Sequence, residues 1–111
     1  MREIKAIIRQ ERVDSVLEAL RELPGLPGIT VSSVQGVGKR SPPVPTTPVE
    51  YGQTEMVKVE VVVPAPMAAG VVDTIRRAAS TGRAGDGKIF VVAVEDAIRI
   101  STGESGAVAL S

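Results

Sequence analysis

Ten residues, TGRAGDGKIF at 81–90, hold the densest set of groups able to engage an anion. Gly82, Gly85 and Gly87 are spaced so that the backbone can take positive φ and turn its N–H groups toward a phosphate. Arg83 and Lys88 supply positive charge around them, and Asp86 could orient a lysine or bond a ribose hydroxyl. The segment lies between a helical pattern and a strand pattern, the reverse of a Walker loop, which runs from strand to helix. By composition alone it is either a phosphate cradle or a plain helix-to-strand turn.

The rest of the composition narrows the chemistry. There is no Cys and no His, which removes thiol chemistry, soft metal sites, structural zinc and the usual neutral-pH general base. No metal site is expected. Lys plus Arg equals Asp plus Glu at 13 each, and Tyr51 and Phe90 are the only aromatics. A nucleic-acid binder normally shows a basic excess and, for single strands, aromatic stacking platforms, so no nucleic-acid partner is expected. The N-terminus turns charged after a few apolar residues, and nothing approaches the ~20 apolar residues of a membrane span. The expectation is a cytoplasmic protein that is not itself membrane-inserted.

The elements that must position the glycine segment follow from periodicity. At 111 residues the chain is one domain, residues 1–111, with an aliphatic core. Ile4–Arg9 is a short apolar run bounded by charges, as in a buried strand. Val13, Val16, Leu17, Leu20 and Leu23 fall on one helical face, with Arg12, Asp14, Glu18 and Arg21 on the other. LPGLPG at 23–28 stops that helix. Ile29–Val37 predicts a second strand and Met56–Val63 a central third. Pro64 and Pro66 end the third strand, Met67, Val71, Ile75 and Ala78 mark a second helix, and Lys88–Val94 predicts a fourth strand. Ala97–Ile100 suggests a short edge element.

The order β-α-β-β-α-β predicts an α+β, ferredoxin-like fold: one antiparallel sheet with both helices on one face. The apolar character of strands two to four predicts that the open face is buried against other subunits. Between strands two and three, residues 39–55 carry four prolines, Pro42, Pro43, Pro45 and Pro48, which preclude a regular helix or a paired strand there. So long an insertion is either a hairpin tip or a loop that docks a partner or gates a ligand.

TGRAGDGKIF, followed by Val91–Val94 and AIRISTGESG at 97–106, resembles the C-terminal signature of the PII signal-transduction proteins. MREIKAIIRQERVDSVLEAL resembles the family's opening strand and helix, and GITVSSVQGVGKR at 28–40 its second strand and the start of its long T-loop. The resemblance implies a homotrimer of ferredoxin-like subunits whose sheets face inward, with an adenine nucleotide in each cleft between subunits. Phosphates would rest on Gly85, Asp86, Gly87 and Lys88, with Arg99 reaching in from the neighbouring subunit. The base would sit near Gly28, Ile29, Thr30, Glu60 and Val62, while Gly36, Gly38 and Lys39 would contact ribose or phosphate. The T-loop-like segment 39–55, with Arg40 and Tyr51, would meet a regulated protein partner, such as a membrane transporter or an enzyme.

The departures from the family pattern bear on the ligand. The family's arginine–glutamine pair at the loop base is Lys39–Arg40 here, and arginine cannot donate an oxygen to a hard cation. That puts a magnesium-bridged 2-oxoglutarate site in doubt. Ser101 replaces a phosphate-contacting arginine, and Met56 stands where the family has a lysine before strand three. These changes favour ADP or AMP, with ATP also admitted, in a divergent PII-like branch. Tyr51 is either a modifiable loop tyrosine or an aromatic that packs or meets a partner. The leading expectation is a signalling regulator, not an enzyme. The alternatives are a slow nucleotide hydrolase using carboxylates such as Asp86 and Glu60, or a purely structural trimer.

Overall fold

Ile4, Ala6 and Ile8 alternate with Glu3, Lys5 and Ile7 along strand β1 (Arg2–Arg9), and only the first three are buried. That period of two selects one face of the strand for the core. In the computed structural model, which describes residues 1–40 and 50–111 and the side chains of 1–38 and 52–111, the chain continues into a 3₁₀ turn, Gln10–Arg12, and helix α1, Val13–Arg21. Strands β2 (Thr30–Arg40) and β3 (Glu50–Val63), helix α2 (Ala68–Ala79) and strand β4 (Gly87–Ala93) follow. The sheet order is β2-β3-β1-β4 and every neighbouring pair is antiparallel, the expected ferredoxin-like arrangement.

The core lies between the sheet and both helices. Val57, Val59, Val61 and Val63 of β3 join Ile4, Ala6 and Ile8, and Val16 and Leu20 of α1 meet Val71, Ile75 and Ala79 of α2 over them. The buried α2 face ends at Ala79 where the sequence suggested Ala78, since 71, 75 and 79 keep the four-residue step; Ala78 and Met67 pack at its margin. The Arg12 guanidinium donates to Ala78 O from Nε at 3.0 Å and Nη2 at 2.6 Å, satisfying a carbonyl in the last turn of α2. Leu23 N donates to Leu20 O at 3.0 Å, and Gly25 at φ 73° completes the stop that LPGLPG predicts.

Two expectations change. The β2–β3 ladder runs beyond the predicted strand ends, from Thr30↔Glu60 to Lys39↔Tyr51 and Arg40↔Glu50, whereas β1 stops pairing at Arg9↔Met56. Beyond Met56, β2 and β3 therefore project from the sheet as a two-stranded ribbon. This stretch contains no proline; the four prolines of the loop lie at 42–48, outside the described residues. The open sheet face is also mixed and not simply apolar. Continuous valine runs divide between faces by the strand period, so Val61 and Val63 turn to the helices and Val62 to the open side. Two ion pairs, Lys5–Glu3 and Lys58–Glu60, each at 3.4 Å, lie on that side, with Phe90 and Val92 of β4 exposed at 48% and 45%.

The predicted edge element at 97–100 is a tight hairpin outside the sheet. Ile98 bridges Ser105, Arg99 N donates to Glu104 O at 2.8 Å, and Gly103 N donates to Arg99 O at 2.8 Å. A 3₁₀ turn, Ala107–Leu110, follows it.

Candidate functional site

The sheet register decides where the glycine segment ends up. Ile8 pairs with Gly87 and Ile7 with Lys88, so the loop leaving α2 is drawn onto the end of β1. Gly82, Gly85 and Gly87 have φ of 78°, 89° and 108°, a region that side-chain-bearing residues rarely enter. At Gly87 a Cβ would stand 1.7 Å from Ile7 O, so the strand approach itself demands glycine. Among the described residues, the amides of Ala84 and Gly85 donate to no protein acceptor.

Across the open face the β2–β3 ribbon rises beside this loop, and together they bound a groove of about 660 Å³. Gly36, Gly38, Gly52 and Thr54 form the ribbon wall, and Arg83, Gly85, Asp86, Gly87 and Lys88 form the loop wall. The floor is apolar, from Ile7, Met56 and Phe90. Met56 is buried although it faces the open side, with its Cγ beside Gly36. Of the two groove cations, Arg83 is tied to Glu11 at 2.9 Å. Lys88 has no ion-pair partner among the described residues, which leaves its charge available to an anion.

Asp86 is held by partners that its sequence setting did not suggest. Its Oδ1 accepts from Thr81 Oγ1 and from Arg9 Nε at 2.9 Å, and its Oδ2 accepts from Thr81 N at 2.8 Å. The Thr81 hydroxyl, the Thr81 amide and the Arg9 guanidinium hold the carboxyl well below the usual carboxylate range. The carboxylate makes no bond to Lys88; its negative charge is met by Thr81 and Arg9. Arg9 Nη2 also donates to Ala84 O at 2.7 Å. Arg9 and Thr81 escaped the sequence reading because Arg9 looked like the charged end of a strand and Thr81 like a loop residue. The Thr81 contact is local, five residues from Asp86, whereas that of Arg9 is visible only once β1 and β4 are paired.

The remaining predicted positions fall elsewhere. Gly28, Thr30, Glu60 and Val62 share a smaller depression of about 280 Å³ at the far end of the same sheet face, where Glu3, Ala109 and Leu110 also line it. Ile29 turns instead toward α1, lining a hollow with Leu17 and Leu26. Glu60 is paired with Lys58. Arg99 lines neither the groove nor the depression: Nη1 donates to Glu104 Oε1 at 2.8 Å, and Nη2 donates to Val108 O at 2.8 Å and to Ser111 O. The backbones of Lys39, Arg40 and Tyr51 belong to the ribbon, but their side chains lie outside the described residues.

Comparison with known proteins gives this arrangement a family. The family model described as "Nitrogen regulatory protein P-II" matches residues 1–104. Nitrogen regulatory protein P-II of Bradyrhizobium diazoefficiens is 46% identical, with 96% of each chain covered. Nitrogen regulatory protein P-II 1 of Escherichia coli is 43% identical, covering 94% of this chain and 95% of that protein. Among solved structures, the Bacillus subtilis GlnK–ATP complex superposes with a TM-score of 0.83 at 31% identity, covering 98% of this chain and 96% of that one. Arabidopsis thaliana PII bound to citrate gives a TM-score of 0.80 at 39% identity, covering 97% and 90%. Since the agreement runs from the first strand through the glycine loop to the hairpin after β4, the chain belongs to the nitrogen regulatory protein P-II family.

Proposed function

We propose that this protein is a nucleotide-binding signalling regulator that holds the phosphates of an adenine nucleotide in the groove between the β2–β3 ribbon and the Gly85–Lys88 loop. The observation that carries the reading is the groove itself: left-handed glycines, unbonded loop amides and the unpaired Lys88 converge on one wall. The Bacillus relative, solved with ATP, supports it.

Gly36, Gly38 and Lys39 approach the ribose or phosphates from the ribbon, while Gly28, Ile29, Thr30, Glu60 and Val62 serve the base. Gly36 and Gly38 in the groove, and Gly28, Thr30, Glu60 and Val62 in the depression, occupy opposite ends of one chain's sheet face, so a nucleotide touching both spans a boundary between copies, in a homotrimer. Arg99 enters a neighbour's cleft only by giving up the carbonyls of Val108 and Ser111. With one unpaired cation in the described groove, and Ser101 where the family has arginine, ADP or AMP is favoured over ATP. No step here depends on magnesium or 2-oxoglutarate.

The role is regulatory, not enzymatic. Asp86, the carboxylate nearest the loop amides, already accepts three hydrogen bonds and is poorly placed as a base. Bound nucleotide biases the conformation of residues 39–55 by differential affinity, and that segment, with Arg40 and Tyr51, docks or releases a protein partner, such as a membrane transporter, in the cytoplasm. No helix among the described residues is long and apolar enough to cross a membrane itself. Light scattering on the purified protein, with mass-spectrometric identification of any retained nucleotide, tests the reading. A trimer retaining an adenine nucleotide is expected; a monomer that retains none and is not driven to associate by added ADP would contradict it.

A further inference from the structure

A carboxylate in the middle of a phosphate-binding loop is a problem that the structure answers. Asp86 sits between Gly85 and Gly87, where its charge would repel a bound phosphate and partly cancel Lys88. Its oxygens are instead turned toward Thr81, five residues back in the same loop, and toward Arg9, 77 residues away in sequence. Thr81, at the exit of α2, grips it through its amide and its hydroxyl, and the same hydroxyl accepts from Arg83 N at 3.3 Å. Arg9, the last residue of β1, grips it through Nε while Nη2 holds Ala84 O. The guanidinium lies directly beneath Gly85, where an added Cβ would come within 3.3 Å of Nη2. Arg9 and Asp86 are both largely covered, with side chains 23% and 24% exposed, which strengthens their attraction relative to a surface pair.

We propose that Arg9 and Thr81 are positioning residues of the phosphate site, neutralising Asp86 and fixing the loop amides so that Gly85–Lys88 presents net positive potential to a ligand phosphate. The inference deepens the nucleotide reading and rests on it for the identity of the ligand, but not for the geometry. Arg9 fastens the loop at the point where β1 takes hold of β4, since Ile7 and Ile8 just before it pair with Lys88 and Gly87. Thr81 fastens the other end, where the chain leaves α2. The loop is thus clamped at both ends through a single carboxylate.

The test uses the full chain, with ATP, ADP and AMP titrated calorimetrically into wild type, Arg9→Gln, Thr81→Val, Thr81→Ser and the double variant Arg9→Gln/Asp86→Asn. Arg9→Gln should weaken ADP binding on the order of tenfold, the scale of a lost charge-assisted hydrogen bond. The loss should grow from AMP to ATP, because an uncovered Asp86 acts on every added phosphate. Removing that charge in the double variant should recover most of the affinity, a coupling that a merely structural arginine would not produce. Thr81→Ser, which keeps the hydroxyl, should bind more tightly than Thr81→Val. Losses equal for all three nucleotides, or a double variant no better than Arg9→Gln, would overturn the proposal.

Amide hydrogen exchange on the nucleotide-free protein separates this claim from the ligand assignment. Arg9→Gln and Thr81→Val should accelerate exchange at position 81, whose amide bonds Asp86 Oδ2, and at Arg83, whose amide bonds the Thr81 hydroxyl, on the order of tenfold, with Ala6 and Val59 in the sheet unchanged. Unchanged loop exchange refutes the positioning role even if nucleotides bind. Accelerated loop exchange in a protein that binds no nucleotide upholds it while the nucleotide reading fails.

Discussion

Replacing Gly87 with alanine should unlock the edge of the sheet that carries the phosphate loop. The added methyl would lie 1.7 Å from Ile7 O and 2.8 Å from Ile7 C, at a residue with φ of 108°. A carbon and a carbonyl oxygen normally come no closer than about 3.3 Å, so β4 must retreat from β1 by roughly 1.5 Å. Holding a non-glycine residue in this backbone region costs about 1–3 kcal/mol. Losing one or two ladder hydrogen bonds at the end of the β1–β4 pair adds ~1 kcal/mol each. The sum, about 2–5 kcal/mol, is a sizeable part of the ~5–15 kcal/mol that holds a domain of this size together. At ~4 °C per kcal/mol it should lower Tm by about 8–20 °C. Scanning calorimetry at fixed protein concentration, without nucleotide, would measure it. A variant melting within about 3 °C of wild type, with the loop amides unshifted, would refute the close approach of these strands.

Other consequences follow from the same packing. Ile75→Ala, at a fully buried position between α2 and the sheet, should cost about 2–5 kcal/mol in urea unfolding, whereas loss of less than ~1 kcal/mol would place Ile75 outside the core. The Asp86 carboxyl is depressed by Thr81 and Arg9, so its stabilisation is complete above the unfolded aspartate pKa of ~3.9 and fades as pH falls below it. The stability gap between wild type and Asp86→Asn should therefore be widest at neutral pH and shrink toward pH ~2.5; a gap independent of pH would contradict the clamp. If Arg99 leaves Val108 and Ser111 to meet a neighbour's phosphate, saturating ADP should speed hydrogen exchange at Ala109, whose amide bonds Gly106 O at 3.0 Å, and slowed exchange there would argue against that movement.

Much of the architecture was legible from local pattern. The apolar run at Ile4–Arg9 predicts a strand and the helical spacing of Val71 and Ile75 a helix, and Ile4, Ala6, Ile8, Val71 and Ile75 are buried together in one core. The backbone turn at Gly82, Gly85 and Gly87 was legible because positive φ restricts residue choice so sharply. What could not be read was long-range. Arg9 and Asp86 are 77 residues apart, and nothing near either one announces the other until the β1–β4 register brings them together. A run such as Val61–Val63 carries no mark of which valine faces the helices; partner strands decide that. The strand ends were missed for a related reason: Gly38 and Gly52 have little strand preference, yet they face each other in a ladder already started by Thr30 and Glu60. Gly28, Ile29, Thr30, Glu60 and Val62, expected together at a base, are divided: Ile29 turns toward α1 while Thr30 turns to the open face, as neighbours on a strand entrance must.

The central claim is that the groove beside Lys88 receives the phosphates of an adenine nucleotide. The most direct measurement is calorimetric titration of AMP, ADP and ATP into wild type and Lys88→Ala, both verified as folded. Saturable binding of at least one nucleotide, weakened on the order of tenfold or more in Lys88→Ala, is the predicted result. No binding of any of the three at millimolar concentration, or equal affinity in the two proteins, would contradict it.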